Sequence, residues 1–333
     1  MKDGLMQRRL QIAGPGTHRL SRPVAAGSCQ ADRADGTEMG ATVSQTARSV
    51  AMILGDLTGN APMSDEQFGF FKALARDHAG IVIADFKRNM VARRVRTRLK
   101  ALVIRDLEEY CAYLRGPKGK RELQPLINAL TTNKTEFFRE AHHFEHLSRE
   151  ALHLFKTSRG GQLKQLRVWS AGCSTGEEPY SIAMTLQEAT TGGTAPDYRI
   201  LATDIDTNVL AFARQGSYRK SDVTAISPAL RAAYLQPDNA GERTFGISPA
   251  IKSRISFQHL NLHETWPMKG PFDIIFCRNV VIYFDKATQR RLFDRMADIL
   301  AEDGFLYCGH SESLYGVSTR FRSMGQSIYQ RIA

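Results

Sequence analysis

The sequence lacks any run of about 18 apolar residues, so no segment reads as a membrane-spanning helix. Its five cysteines (Cys29, Cys111, Cys173, Cys277, Cys308) are odd in number and widely spaced, with no C-x-x-C among them. That excludes a disulfide scaffold and a cysteine zinc site, and fits a reducing cytoplasm. There is no G-x-G-x-x-G and no Walker A motif, which disfavours a nicotinamide enzyme and a P-loop nucleotidase. Aromatics are almost missing from residues 1–60, and no apolar period is sustained there. This stretch is expected to be a disordered leader with at most one short helix near 46–57. It has no continuous apolar core of the signal-peptide kind.

What remains is ordinary in bulk and unusual in charge. The 333 residues are 42% hydrophobic and 24% charged, enough for two domains with substantial cores. The net charge of +11 implies an acidic partner: nucleic acid, a membrane surface or an acidic protein. Its densest run is Lys87 to Arg105, with eight basic residues and no acid. No aromatics interleave with these bases and no binding motif accompanies them, which disfavours nucleic acid.

Residues 61–140 read as helical. Ser64 and Gln67 make a capping box, and Phe68, Phe71, Leu74 and Ala75 follow at helical spacing. A second helix is expected over about 85–103, with Phe86, Met90, Val95, Leu99 and Leu102 near one side. Others are expected at about 106–114 and 120–130. A linker helix and hinge fill 141–161, the hinge being Ser158-Arg159-Gly160-Gly161. From 162 to 333 strands alternate with helices, which implies an open α/β sheet. Strands are expected at Leu166–Ala171, Tyr198–Thr203, Pro271–Cys277 and Gly304–Gly309, with an edge hairpin over 321–332. The Pro- and Gly-rich stretch 218–256 reads as an insertion.

Three segments place polar residues where such a sheet binds ligands, at the carboxyl ends of its strands. The first strand runs into Gly172-Cys173-Ser174-Thr175-Gly176-Glu177-Glu178-Pro179, and the second ends at Asp204, which could accept hydrogen bonds from ribose hydroxyls. The third is followed by Arg278, Asn279 and Tyr283. Gly172 to Gly176 also matches G-x-S-x-G, and Ser174, Asp273 and His310 occur in a hydrolase order. Against a serine hydrolase, Glu177-Glu178-Pro179 follow the serine, Asp273 lies within a strand, and no oxyanion loop precedes the turn. His142 and His146 are four apart, but without H-E-x-x-H they read as a helix surface and no metal is expected. Cys277 beside Arg278 reads as a buried strand thiol.

Five segments together resemble one family. They are Thr132-Asn133-Lys134-Thr135-x-Phe137-Phe138-Arg139, Trp169-Ser170-Ala171-x-x-Ser174-Thr175-Gly176-Glu177-Glu178-Pro179-Tyr180-Ser181, Ala202-Thr203-Asp204-Ile205-Asp206, Phe276-Cys277-Arg278-Asn279-Val280-x-Ile282-Tyr283-Phe284 and Gly309-His310-Ser311-Glu312. In this order, across about 64–333, the chain resembles the chemotaxis receptor glutamate methyltransferases, the CheR family. The resemblance implies a Rossmann-like S-adenosylmethionine-dependent methyltransferase sheet with a small all-helical N-terminal domain and an inserted small antiparallel β-subdomain. It implies a cytoplasmic, monomeric enzyme that methylates glutamates of chemoreceptor cytoplasmic helices and yields S-adenosylhomocysteine. It assigns the cofactor to Asn133, Thr135, Arg139, Glu177, Asp204, Asn261, Leu262, Arg278 and Asn279. Arg278, Tyr283 and Arg139 are assigned to catalysis, Arg139 by pairing the cofactor's methionine carboxylate. The basic segment 87–105 becomes a docking surface for acidic receptor helices. In some members the β-subdomain docks a receptor C-terminal peptide, but Gln236 to Arg243 lacks the G-x-G associated with them. The alternative to an enzyme is a non-catalytic module that binds S-adenosylmethionine or its product and regulates a partner.

Overall fold

The structure is a computed structural model that describes residues 62–156, 165–189, 197–238 and 243–332. The expected leader and the hinge at 158–161 lie outside the described residues.

Four helices form the first layer: α1 (Asp65–Ala79), α2 (Arg88–Leu102), α3 (Leu107–Arg115) and α4 (Gly119–Leu130). The capping box is present, since Ser64 Oγ accepts from Gln67 N and Gln67 Oε1 accepts from Ser64 N. Phe71, Val95, Tyr110 and Leu126 meet in one buried cluster. The expected helix over 85–103 is shorter. Residues Asp85–Lys87 form a separate 3₁₀ turn, and Val103 leaves α2 in the left-handed conformation. Phe86 is therefore out of phase with the α2 stripe, and it is 84% exposed.

After α5 (Ala141–Lys156) comes a sheet of seven strands: β1 (Leu166–Ala171), β2 (Tyr198–Asp204), β6 (Ile255–His259), β7 (Phe272–Cys277), β8 (Leu300–Cys308), β9 (Phe321–Gly325) and β10 (Ile328–Arg331). Their spatial order is β6-β2-β1-β7-β8-β10-β9. The first five are parallel, and the β9–β10 hairpin adds to β8 antiparallel, as the short alternating terminus predicts. Side chains alternate across the sheet. Val168, Ile274 and Phe276 enter one core with Tyr180 and Leu147, while Trp169, Ile275 and Cys277 enter the other with Phe293 and Met296. The flanking helices are α6 (Glu177–Glu188), α7 (Thr207–Gln215) and α10 (Lys286–Ile299). The expected insertion builds its own antiparallel sheet of β3 (Ser217–Arg219), β5 (Thr244–Ile247) and β4 (Leu235–Pro237), with short helices α8 (Pro228–Tyr234) and α9 (Pro249–Lys252).

The chain runs from β1 outward to β2 and β6, then returns to place β7 on the other side of β1. That reversal opens a crevice at the carboxyl ends of β1 and β7. The helical layer sits over these ends. Asn261 Nδ2 donates to His78 O (2.6 Å), Val82 N to Tyr283 O (2.8 Å) and Gln124 Nε2 to Ile205 O (2.7 Å).

Candidate active site

The turn after β1 needs two glycines. Gly172 has φ +82°, and a Cβ there would meet Val280 Cγ2 at 2.3 Å. Gly176 has φ +99°, and a Cβ would come within 2.8 Å of the Tyr218 hydroxyl. Both conformations favour glycine. The turn brings Ser174 N to Asp204 Oδ2 (2.8 Å), while Asp206 N donates to Asp204 Oδ1 (2.9 Å). Burial pushes the Asp204 carboxyl up to about 6, against the pull of those amides.

The loop from Thr131 to Arg139 lies beside this turn. Asp206 Oδ2 accepts from Thr131 Oγ1 (2.9 Å) and Asn133 Nδ2 (2.7 Å), and Ser174 Oγ donates to Asn133 O (2.8 Å). Phe138 and Glu140 both adopt positive φ, which bends the chain into α5. Arg139 donates to Lys134 O (3.1 Å).

Arg278 leaves β7 with its side chain only 2% exposed. It faces Glu178 (3.2 Å) and Glu140 (3.3 Å), donates to the Arg139 carbonyl, and lies over the Phe144 ring. Burial raises Glu178 in spite of Arg278. Burial also pushes Glu140 up, but Arg278 and His310 outweigh it, so Glu140 titrates below the ordinary range. The next residues are held by Glu312. This buried carboxylate accepts from Gly309 N (2.6 Å), Asn279 N (2.8 Å), Val281 N (2.9 Å) and Ile282 N (3.3 Å). Burial raises its pKa over the opposing effect of those donors.

One cleft, open to solvent, runs past these groups. Asn133, Thr135, Arg139, Asp204, Asn261, Leu262, Arg278, Asn279 and Tyr283 all contribute to its wall. Glu177 does not. It accepts from Thr175 Oγ1 (2.7 Å), and of this adjacent pair it is Glu178 that reaches the wall. Adjacent helical residues point about 100° apart, so the choice between them depends on how the turn phases α6. Asn261 carries its wall with the side-chain amide already engaged, donating to His78 O and Glu264 Oε1. Glu140, Asp206 and Glu312 escaped the sequence reading as site residues. For the last two, the signal was their place within shared motifs.

Other readings fail on geometry. Ser174 Oγ is committed to Asn133 O, Asp273 accepts from Arg167 N at the amino end of β7, and His310 binds Glu140, so no hydrolase triad forms. His142 Nε2 lies on Gln326 O and His146 Nδ1 on the Tyr307 hydroxyl, so the i, i+4 pair does not converge. Glu140, His142 and His143 do cluster, but Arg278 supplies the cation facing Glu140. Burial also drives His143 down to about 4. Cys277 is fully buried, and burial raises its thiol.

The basic run divides. Arg94 donates to Leu130 O and Thr131 O, and Arg98 to Glu122, so both face inward. Arg88 pairs with Asp65 and Arg105, beyond α2, with Asp106. Arg93 and Lys100 are exposed. The docking surface expected along 87–105 is therefore narrower than the charge count implied.

The chain is similar to known proteins over most of its length. The family model described as "CheR methyltransferase, SAM binding domain" matches residues 133–330, and "CheR methyltransferase, all-alpha domain" matches 66–131. The chemotaxis protein methyltransferase of Klebsiella aerogenes is 42% identical over 290 residues, covering 86% of this chain and 97% of its own. That of Escherichia coli K12 is 42% identical over 280 residues, covering 83% and 94%. A probable chemotaxis protein methyltransferase of Rhizobium etli is 41% identical over 255 residues, covering 76% and 94%. No helix among the described residues is long and apolar enough to cross a membrane. The chain belongs to the CheR family of S-adenosylmethionine-dependent chemotaxis methyltransferases.

Proposed function

We propose that the protein transfers a methyl group from S-adenosylmethionine to glutamate side chains of chemoreceptor cytoplasmic helices, giving methyl esters and S-adenosylhomocysteine. The observation that carries this is the convergence of Asp204, Arg139, Arg278 and Tyr283 on one cleft at the sheet's reversal point. The cleft residues fit the cofactor. Asp204 would accept from its ribose hydroxyls, Arg139 would pair its carboxylate, Asn133 and Thr135 would border it, and Leu262 would give adenine an apolar wall. When bound, the cofactor supplies an electrophilic methyl on a sulfonium.

The chain's own part is positioning. A glutamate carboxylate, with pKa near 4.3, is ionised at pH 7 and needs no general base. Excluding water from the pair favours their reaction, and alignment is worth at most about 7–11 kcal/mol. Too firm a grip on the ground-state carboxylate would slow attack. Arg278 suits that limit, because Glu178 and Glu140 already offset its charge. Tyr283 is left to orient the acceptor, its backbone fixed by Val82 and its ring faced by Lys87 (5.6 Å).

The entrance has a fitting surface. Val82, Phe86 and Ile282 are exposed apolar residues, and Lys87 stands between the Phe86 and Tyr283 rings. An amphipathic receptor helix bearing glutamates matches apolar contacts beside a cation, with Arg93 and Lys100 supplying steering farther along α2. Calorimetry of the full chain with S-adenosylhomocysteine tests the cofactor assignment. Saturable one-to-one binding that Asp204→Asn weakens is expected, and no binding by the unaltered chain contradicts it.

A further inference from the structure

Arg94 lies on the basic helix α2, yet its half-buried guanidinium turns onto the chain that follows α4. Nη1 donates to Leu130 O (2.7 Å) and Thr131 O (2.6 Å), and Nη2 to Thr132 Oγ1 (3.2 Å). Leu130 ends α4, where the last carbonyls have no helical partner and a cation is favourable. A forked guanidinium can serve two carbonyls and a hydroxyl together, which a point-like ammonium cannot do as well. The residues it grips are the first of the loop that forms one wall of the cleft. The same loop is gripped elsewhere by Asp206, through Thr131 Oγ1 and Asn133 Nδ2, and by Ser174 Oγ at the Asn133 carbonyl. Asp206 and Ser174 in turn donate their amides to the two oxygens of Asp204. Thr131 is thus held by Arg94 at its carbonyl and by Asp206 at its hydroxyl.

We infer that Arg94 is a positioning residue for the cofactor, fixing the Thr131–Thr135 loop from the helical domain, and is not a contact for the receptor. The inference rests on the reading that this cleft takes S-adenosylmethionine. It divides α2 by task. Arg94 sets the cofactor loop, Arg98 is held by Glu122, which also accepts from the Tyr110 hydroxyl, and Arg93 and Lys100 are left facing solvent.

The test compares Arg94→Ala, Arg94→Lys and Arg93→Ala in the full chain. S-adenosylhomocysteine affinity is read by calorimetry below the melting temperature, and KM is measured separately for S-adenosylmethionine and a receptor fragment. Arg94→Ala should weaken S-adenosylhomocysteine binding about tenfold or more and raise the S-adenosylmethionine KM in step. Arg94→Lys should recover only part of that loss. Arg93→Ala should leave S-adenosylhomocysteine affinity alone and raise the receptor KM. Should Arg94→Ala fail to fold, Arg94→Lys against the unaltered chain carries the same comparison, with a loss of affinity expected. Unchanged S-adenosylhomocysteine affinity in a folded Arg94 variant, with only the receptor KM raised, would overturn the inference. Absence of S-adenosylhomocysteine binding by the unaltered chain would instead defeat the cofactor assignment beneath it.

Discussion

Arg278 Nη1 lies 3.2 Å from Glu178 Oε2, with both side chains buried in the wall of the cleft. Removing one partner of a buried ion pair costs about 3–5 kcal/mol, because the other charge is stranded. Glu178→Ala should lose stability in that range by urea unfolding and should weaken cofactor binding. Glu177→Ala removes only the bond from Thr175 and should cost about 1 kcal/mol or less, with cofactor affinity kept. Equal effects at the two positions would mean that α6 is phased differently from the arrangement described.

Tyr283→Phe keeps the ring between Lys87 and the loop but removes the hydroxyl. Cofactor affinity should stay within about twofold while single-turnover methyl transfer drops about tenfold or more, the size expected for one well-placed polar group. Unchanged turnover would remove Tyr283 from the chemistry.

Asp204 makes cofactor binding pH-dependent. Burial raises its pKa to about 6, so the folded chain holds a proton that an unfolded chain, near 3.9, has released. Its contribution to stability is therefore full below about pH 4 and lost as pH rises through 6. Cofactor affinity runs the other way, since the carboxylate is the better acceptor. Calorimetry should show affinity falling by up to about tenfold per unit below pH 6, and Asp204→Asn should flatten the profile between pH 5 and 7. A flat profile for the unaltered chain would contradict the role.

Glu312 gathers the backbone of the Asn279–Ile282 loop. Glu312→Ala strands buried donors at about 1–3 kcal/mol each before relaxation. Lower melting and lower turnover are expected together, with Glu312→Gln intermediate because it keeps acceptor capacity. Turnover equal to that of the unaltered chain in Glu312→Ala would show that the loop holds its shape unaided.

Salt and charge should act on encounter. Arg93→Glu with Lys100→Glu should raise the receptor KM and flatten its dependence on salt, because screening weakens exposed charges over about 8–10 Å. Cofactor KM should stay constant. An unaltered salt dependence would move the docking surface off α2.

Local signals carried much of the fold. Ser64, Asp206 and Asp285 announce helix starts by side chains that cap within three residues. The all-buried Phe272–Cys277 strand is a plain apolar run. What stayed hidden depends on distant partners. The inward turn of Arg94 is decided by carbonyls 36 and 37 residues away, and that of Arg98 by Glu122, 24 residues away. Charge counting cannot separate them from Arg93. Glu177 and Glu178 are alike in type, and only the glycine turn before them selects which faces the cleft. Phe86 has the right residue type for the α2 stripe, but the 3₁₀ turn shifts its phase. Glu140 joins the Arg278 cluster through a positive-φ bend that residue type does not announce.

Methyl transfer to a receptor fragment is the decisive measurement. Full-length protein is incubated with S-adenosylmethionine carrying a tritiated methyl group and a chemoreceptor cytoplasmic fragment, and the labelled fragment is then treated with mild base. Label is expected on the receptor fragment, and base should release it as methanol, the behaviour of a glutamate methyl ester. Label that resists base, or a fragment that takes up none, would contradict it.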